Sequence, residues 1–442
     1  MALIKMIFEE IVNMEKIKPG PLTGITVLDF TWVLAGPHAT MALADMGANV
    51  FKVEAYTRGT HERWQPLQVE KNGVTQSSYH IHLNRGEKSL CINLKDPKGI
   101  QVVHDLIKKC DILVENFAPG VMDRLKLDYD SIKKIKNDII YCSVSAFGHW
   151  GPNCHKPGYD VIAQAASGWV GLTEQKIPAP IAIGDTTAAM HACTAVLAAL
   201  YHRMISGEGQ NIDISMVDCL FSLHETSFPF YWTGEAAGSP GITPLMGKQS
   251  STSAPYGIYS GKNGAIAIAI LTEARWPELV DVMGPGYEWL KTDPRTLRIT
   301  DRCSTKNARV VHKALESWVM SQDSVEEAER KLEAAGVPCS RVKTIEELAT
   351  TDDHIGAREM RQEKFQPFLG PMKMFGSPMK FSLTPSGIQG YAPFLGEHNR
   401  EVLSRFLGYS PEKIESLYGD KVLHEGPEVE KLAEEIAKNE PH

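Results

Sequence analysis

The chain has 442 residues, 43% apolar and 23% charged, with a net charge of −8. That length supports two or three domains with sizeable cores. The acidic balance argues against a nucleic-acid footprint over the whole chain, while leaving room for a local basic pocket for phosphates.

The eight cysteines are scattered, with no CxxC and no His/Cys ligand spacing. This points to a reduced cytoplasmic enzyme with neither a disulfide framework nor a metal centre. The opening MALIKMIFEEIVNMEK carries Glu9 and Glu10 inside its apolar region and lacks a small-residue cleavage site. It reads as a short amphipathic helix rather than a secretion signal. No run of 18 or more apolar residues suggests a membrane span.

In chain order, ITVLDFTWVLAGPHATMALADMGANVFKVE predicts a strand at Ile25 to Phe30, a helix at Pro37 to Met46 and a strand at Asn49 to Glu54. Strands alternating with helices continue through LIKKCDILVENF and KKIKNDIIYCSVSAF, the pattern of a parallel, doubly wound sheet. The turn LAGP lacks GxGxxG, which weakens a dinucleotide oxidoreductase reading. In PIAIGDTTAAMHACTAVLAALYHR, Asp185 stands between a short apolar run and a small-residue helix predicted from Thr186 to Arg203. An aspartate there reads first as an N-cap. NIDISM gives another strand, and the texture between Tyr231 and Ser260 turns to Gly, Pro, Ser and Thr. AIAIAIL and the charged helices after it suggest a smaller domain. The expected division is an N-terminal extension (1–19), a large Rossmann-like domain (20–230), a smaller α/β domain with linkers (231–335) and a return to the large domain (336–442).

Several of these stretches resemble the class III CoA-transferases, the family of formyl-CoA and carnitine-CoA transferases. They are VLDFTWVLAGPHATMALADMGANVFKVE, LNRGEKSLCINLKDPKG, VENFAPGVMDRL, PGYDVIAQAASGWVGLTE, IGDTTAAMHACTAVLAAL, GQNIDISMVD, AGVPCSRVKTIEEL, SPMKFSLTP and LGEHNREVL. They run in family order over roughly residues 20–420. The resemblance implies that Asp185 is the nucleophile, forming an aspartyl–acyl anhydride and then an aspartyl-CoA thioester. An aspartate of ordinary pKa, about 3.9, would be ionised without a neighbouring base. Gly184, Thr186, Ala188 and Ala189 would leave space for the pantetheine arm, and the helix N–H groups would stabilise the oxyanion.

By the same resemblance, Asn93, Leu94, Lys95, Asn116 and Phe117 line the adenine cleft, Arg124 contacts phosphate, and Tyr159 lies near the thioester. Arg58, Lys88 and Lys156 are further candidate cations. The family often keeps Arg or Pro directly after KVE, whereas this chain has Ala55-Tyr56-Thr57 before Arg58. Racemases of the superfamily carry a GHD-type histidine where this chain has Gly158-Tyr159-Asp160. A tyrosine of pKa about 10 is a poor base at neutral pH. His191, six positions on, lies about 240° around the helix from Asp185, and His155 in CHKPGYD is the other candidate base. A 2-methylacyl-CoA racemase and a non-catalytic CoA-binding partner subunit are therefore the rival readings.

Formyl-CoA transferases carry glutamine where this chain has Leu34, and a glycine run where PLMGKQSSTSAPYGIY supplies Gly247. With Trp32, Phe228, Phe230, Tyr231 and Trp232, an apolar acceptor of the benzylsuccinate type is expected, donated to by an acyl-CoA such as succinyl-CoA. The family resemblance further implies an interlocked homodimer, or a heterodimer with a related subunit. Neither metal, membrane nor nucleic acid is expected as a partner.

Overall fold

The structure, a computed structural model, describes residues 19–172, 176–236, 245–251 and 253–437. The expected N-terminal amphipathic helix lies outside them. The chain divides into two units: Met1–Ser167 with Ala179–Phe221 and Asp353–His442, and Gly168–Pro178 with Ser222–Asp352.

The first unit is built on six strands: β1 (Thr26–Asp29), β2 (Asn49–Ala55), β3 (Lys88–Ile92), β4 (Ile112–Glu115), β5 (Ile140–Ser145) and β6 (Asn211–Ser215). They lie in the order β3-β2-β1-β4-β5-β6, and every neighbouring pair is parallel. The sequence segments TVLD, ILVE and IYCSVS are buried throughout, as expected of strands covered on both faces. From β1 the chain winds outward through β2 to β3; from β4 it winds the other way through β5 to β6. The order therefore reverses between β1 and β4, and the crevice at their carboxyl ends is where open α/β sheets bind ligands.

Helices α1 (Ala35–Asp45), α2 (Pro97–Ile107), α3 (Val121–Leu125), α4 (Asp160–Ala166), α5 (Ile183–Ser206) and α6 (Met216–Ser222) connect or follow the strands. The start of α2 follows from its sequence: the Asp96 carboxylate accepts from the Lys98 N–H at 2.8 Å, with Pro97 at the first helical position. Its apolar face (Val102, Val103, Leu106 and Ile107) joins the sheet core. The C-terminal segment returns to that core through Val402, Leu403, Ile414, Leu417, Val422 and Leu423. It also covers the β3 edge, where Asn399 Oδ1 accepts from the Cys91 N–H at 2.9 Å. Helix α5 is long and apolar enough to cross a membrane by length and composition. Its stripe Ala188, Ala189, Ala192, Cys193, Val196 and Ala199 is nevertheless buried within the fold.

The second unit carries five short strands: β7 (Leu245–Met246), β8 (Gln249–Ser250), β9 (Tyr256–Gly261), β10 (Gly264–Ala269) and β11 (Cys339–Arg341). Their pairings are antiparallel, so strands and helices do not alternate as in the α/β arrangement expected. Its boundaries also extend past 335, because Cys339–Arg341 pairs with Ile266–Ile268 and completes the sheet. Tyr259, Ile266, Ile268, Leu279, Leu315 and Trp318 fill its core. His312 is fixed there as one tautomer. Its Nε2 donates to the Ser250 carbonyl at 2.9 Å, so its Nδ1 accepts from the Tyr259 hydroxyl at 2.8 Å.

Candidate active site

A cavity of about 150 Å³ opens at the carboxyl ends of β1, β4, β5 and β6, lined among others by Trp32, Leu34, Phe117, Phe147, Tyr159 and Asp185. It therefore sits at the reversal point of the strand order. The loops after β1 and β4 are clasped together by Asn116: its Oδ1 accepts from the Trp32 N–H at 2.9 Å and its Nδ2 donates to the Trp32 carbonyl at 2.8 Å. Both polar ends of that amide are thus engaged, so Asn116 holds the rim and is not a free reader of a base. Val33 takes a left-handed backbone, φ 67°, which is uncommon for a β-branched residue. Glu62 Oε2 holds it by accepting its N–H at 3.0 Å.

Asp185 is not the N-cap that the sequence suggests. Helix α5 begins earlier, with Ala182 as the capping residue and no side-chain cap of its own. The cap comes through space from Asp160, whose Oδ1 accepts from the Gly184 N–H at 2.7 Å and more weakly from the Asp185 N–H at 3.4 Å. Gln164 Nε2 steadies the other oxygen of Asp160 at 2.7 Å, and Gln164 Oε1 accepts from the Ala179 N–H at 2.8 Å. Gly184 fits this contact closely: a Cβ there would lie 3.0 Å from Asp160 Oδ1 and 3.3 Å from Leu220, so either side chain would have to shift by a few tenths of an ångström. Of the small residues expected to clear a path for pantetheine, Ala188 and Ala189 are buried in the core.

The cap changes two further expectations. The remaining N–H groups of the first turn are also satisfied, Ile183 by the Ile181 carbonyl and Thr186 by the Ala182 carbonyl. The start of α5 therefore offers no spare donor to an oxyanion. Helix α1 starts on the same cavity, and no described residue accepts from the backbone N–H groups of Leu34 and Ala35. They are the better-placed donors. Second, Asp185 is 9% exposed. Burial, and then the charge of Asp160, push its carboxyl up to about 7. It is therefore only partly ionised at neutral pH, contrary to the ordinary behaviour assumed from sequence.

The other candidates separate by place. Leu34, Asn116, Phe117, Tyr159 and Lys156 line the Asp185 cavity, and Lys156 is the cation among its described lining residues. Asn93, Leu94 and Lys95 follow β3, three strand positions from β4, or about 14 Å at ordinary strand spacing. The Asn93 side chain accepts from the Lys95 N–H at 3.1 Å. Arg124 lies exposed on α3. Lys88 is committed to Glu401 at 2.7 Å, and Arg58 lines a separate cavity. Gly247 and the aromatics Phe228, Phe230, Tyr231 and Trp232 belong to the second unit, where Phe228 stacks on Trp232.

Neither His155 nor His191 lines the Asp185 cavity; the latter's Nδ1 is bonded to the Thr187 carbonyl at 2.9 Å. Sequence reasoning missed Asp160 as the cap and Tyr79. The Tyr79 hydroxyl is pushed up to about 12 by burial and the nearby charge of Asp185. No local pattern marks either residue. Among the described residues no cluster of His, Cys, Asp or Glu could hold a metal ion.

Comparison with known proteins gives this geometry its context. The model of CoA-transferase family III matches residues 22–399. The succinate–glutarate CoA-transferase of Agrobacterium fabrum is 32% identical over 89% of this chain and 97% of its own. The formyl-CoA:oxalate CoA-transferase of Bradyrhizobium diazoefficiens is 32% identical over 90% and 96%. Among solved structures, a CAIB/BAIF family protein from Brucella suis superposes with a TM-score of 0.75 at 28% identity, covering 88% of this chain and all of that one. An M. tuberculosis protein gives 0.74 at 25% identity, covering 86% and 99%. The family match spans both units, and the chemistry it supports is transfer of CoA between acyl-CoA and carboxylic acids. This chain is an enzyme of CoA-transferase family III.

Proposed function

We propose that the chain moves CoA from a succinyl-CoA-type donor to an apolar-substituted carboxylic acid through covalent intermediates on Asp185. The observation that carries this reading is a buried aspartate in the reversal-point cavity, with no ion-pair partner and no hydrogen-bond donor to its carboxylate among the described residues. Such a carboxylate is poorly solvated and correspondingly reactive once ionised.

Its oxygen attacks the thioester carbonyl, and the tetrahedral intermediate expels CoA thiolate to leave an aspartyl–acyl anhydride. The thiolate then attacks the aspartyl carbonyl, giving an aspartyl-CoA thioester and the donor acid. The acceptor carboxylate attacks that thioester to form a second anhydride, again releasing thiolate. Thiolate attack on the acceptor's acyl carbon yields acceptor-CoA and restores Asp185. The Leu34 and Ala35 N–H groups are the donors for the oxyanions, and Lys156 balances negative charge at the mouth. Asn93, Leu94, Lys95, Phe117 and Arg124 remain the proposed contacts to the CoA nucleotide. Exposed Tyr201, Met204 and Ile205 at the end of α5 suit burial in the proposed dimer.

Two relatives bear names that specify dicarboxylates, glutarate in one and oxalate in the other. The wall of Trp32, Leu34, Phe117, Phe147 and Met216 favours an acceptor with apolar surface, at roughly 25 cal/mol per Å² dried. Oxalate would desolvate its second carboxylate against carbon. Expected is a kcat/KM for succinyl-CoA with an aryl- or alkyl-substituted dicarboxylate that exceeds formyl-CoA with oxalate by about 100-fold, or about 2.7 kcal/mol. A preference for oxalate would overturn the acceptor assignment.

A further inference from the structure

Three consecutive residues of the loop between β1 and α1, Trp32, Val33 and Leu34, wall the Asp185 cavity. Each position leading up to Leu34 is tied by a side chain. The Thr31 N–H donates to Asp29 Oδ1 at 2.6 Å, and its carbonyl accepts from Lys52 at 3.1 Å. Trp32 is clasped at both backbone groups by Asn116. Val33, in its left-handed conformation, donates its N–H to Glu62 Oε2. Helix α1 then closes on the loop so tightly that a Cβ at Gly36 would lie 2.3 Å from the Thr31 side chain.

Glu62 reaches the loop from the short helix His61–Trp64, and that helix is itself anchored to β2. Glu54 Oε2 accepts from the Thr60 N–H at 3.1 Å and from Arg63 Nε at 2.7 Å, and Arg63 Nη2 donates to Glu54 Oε1 at 2.6 Å. The His61 ring meets Trp32 edge-on, with 6.3 Å between centroids. Glu62 is fully buried, and its second oxygen lies 3.5 Å from Lys52. A β-branched residue at positive φ persists only where its surroundings over-determine it, and such residues gather at functional sites.

We propose that Glu62 is a positioning residue for the transfer reaction. It holds Val33 left-handed, and through Val33 it fixes the wall of Trp32, Val33 and Leu34 in the cavity that contains Asp185. Released from Glu62, the Val33 backbone would turn toward the ordinary negative-φ region and carry its two neighbours with it. A displacement of about 1 Å in a reacting cavity can cost about 100-fold in rate. The role rests on the transferase reading of Asp185 and deepens it.

Two readouts test it in the full chain: hydrogen–deuterium exchange of the peptide covering residues 30–36, and turnover of succinyl-CoA with a dicarboxylate acceptor. Glu62→Leu should speed exchange in that peptide at least about 10-fold while the β5 peptide, Ile140–Ser145, stays protected. It should lower kcat about 100-fold and change KM for succinyl-CoA less than about threefold. Glu62→Gln keeps an oxygen for the Val33 N–H and should retain kcat within about threefold. Glycine takes positive φ freely, so Val33→Gly added to Glu62→Leu should recover about 10-fold of the loss; a role in packing alone would make the double variant worse. Should Glu62→Leu not fold, Glu62→Asp decides the matter. Its shorter arm keeps the charge beside Lys52 but falls short of Val33, so exchange should rise and kcat fall about 10-fold. Unchanged exchange or unchanged turnover in these variants, or a loss that neither Glu62→Gln nor Val33→Gly relieves, would overturn the proposal. A wild type that forms no covalent CoA adduct on Asp185 would overturn the transferase reading and this role with it, yet faster exchange in Glu62→Leu would still reveal the clamp, so the two failures are distinguishable.

Discussion

Two of the groups of buried carboxylates in the first unit are built oppositely. Along β1 and β2, Asp29 and Glu62 share the fully buried Lys52, at 3.2 and 3.5 Å, and Glu54 takes the two-pronged fork of Arg63. Burial alone would lower the Lys52 pKa, but Asp29 and Glu62 raise it instead. Burial alone would raise Glu54, but Arg63 holds it well below the usual carboxylate range. In the cavity at the carboxyl ends of the strands, Asp185 faces another carboxylate, Asp160, and its pKa rises. The cost of burial is outweighed at Glu54 by Arg63 and left standing at Asp185; at Glu62 it is only partly offset, since burial still raises that carboxyl against the pull of Lys52. The first group fixes the backbone at the β1 exit through Glu62 and Val33. The second retains an under-solvated carboxylate, the kind of perturbed group that marks reactive sites.

The largest way to break the comparison is to remove the compensating cation. Lys52→Met strands Asp29 and Glu62 in the interior and is expected to cost about 3–5 kcal/mol in urea unfolding; a loss under 1 kcal/mol would mean that the network is not what holds this region. Asp185→Asn should act in the other direction. The native aspartate keeps its proton up to about 7, whereas an unfolded one releases it near 3.9. Between those values ionisation favours unfolding, so the wild type loses stability as pH rises through that window. The asparagine variant should be more stable by about 2–4 kcal/mol at pH 8 and no different at pH 4. An equal effect at both pH values would show that packing, and not charge, is responsible.

Smaller changes sharpen the contrast. Leu34→Gln should lower kcat/KM for the larger acceptor by about 10-fold and narrow its advantage over oxalate; an unchanged ratio would detach Leu34 from the acceptor wall. Asp160→Asn keeps an oxygen for the Gly184 N–H while removing the like charge. The acid limb of the pH–rate profile, expected near 7 in the wild type from the raised Asp185 carboxyl, should move to lower pH. A limb that stays in place would assign the raised Asp185 pKa to burial alone.

Much of the large unit is legible in the sequence because its strands are short apolar runs separated by helical periodicity. The first strand–helix–strand unit, predicted from Ile25 to Glu54, spans Thr26 to Ala55. Asp185 was visible as a helix-start aspartate in a family motif, but its neighbours were not. Asp160 lies 24 residues from Gly184, and Glu62 lies 29 from Val33. Such through-space pairs leave no periodic trace. An assumed ordinary pKa failed for the same reason, since burial by distant segments is what raises it. The second unit's limits were missed where Ile266 pairs with Arg341, another contact that only the fold brings together.

The central claim is that Asp185 is the atom-transferring carboxylate. The most direct measurement is to incubate the purified protein with succinyl-CoA, quench, digest and look for covalent CoA by mass spectrometry. A hydroxylamine- or borohydride-sensitive adduct is expected on the peptide carrying Asp185, absent from Asp185→Ala, whose turnover should fall roughly 10⁴-fold or more. CoA on another peptide, or wild-type turnover by Asp185→Ala, would contradict the account.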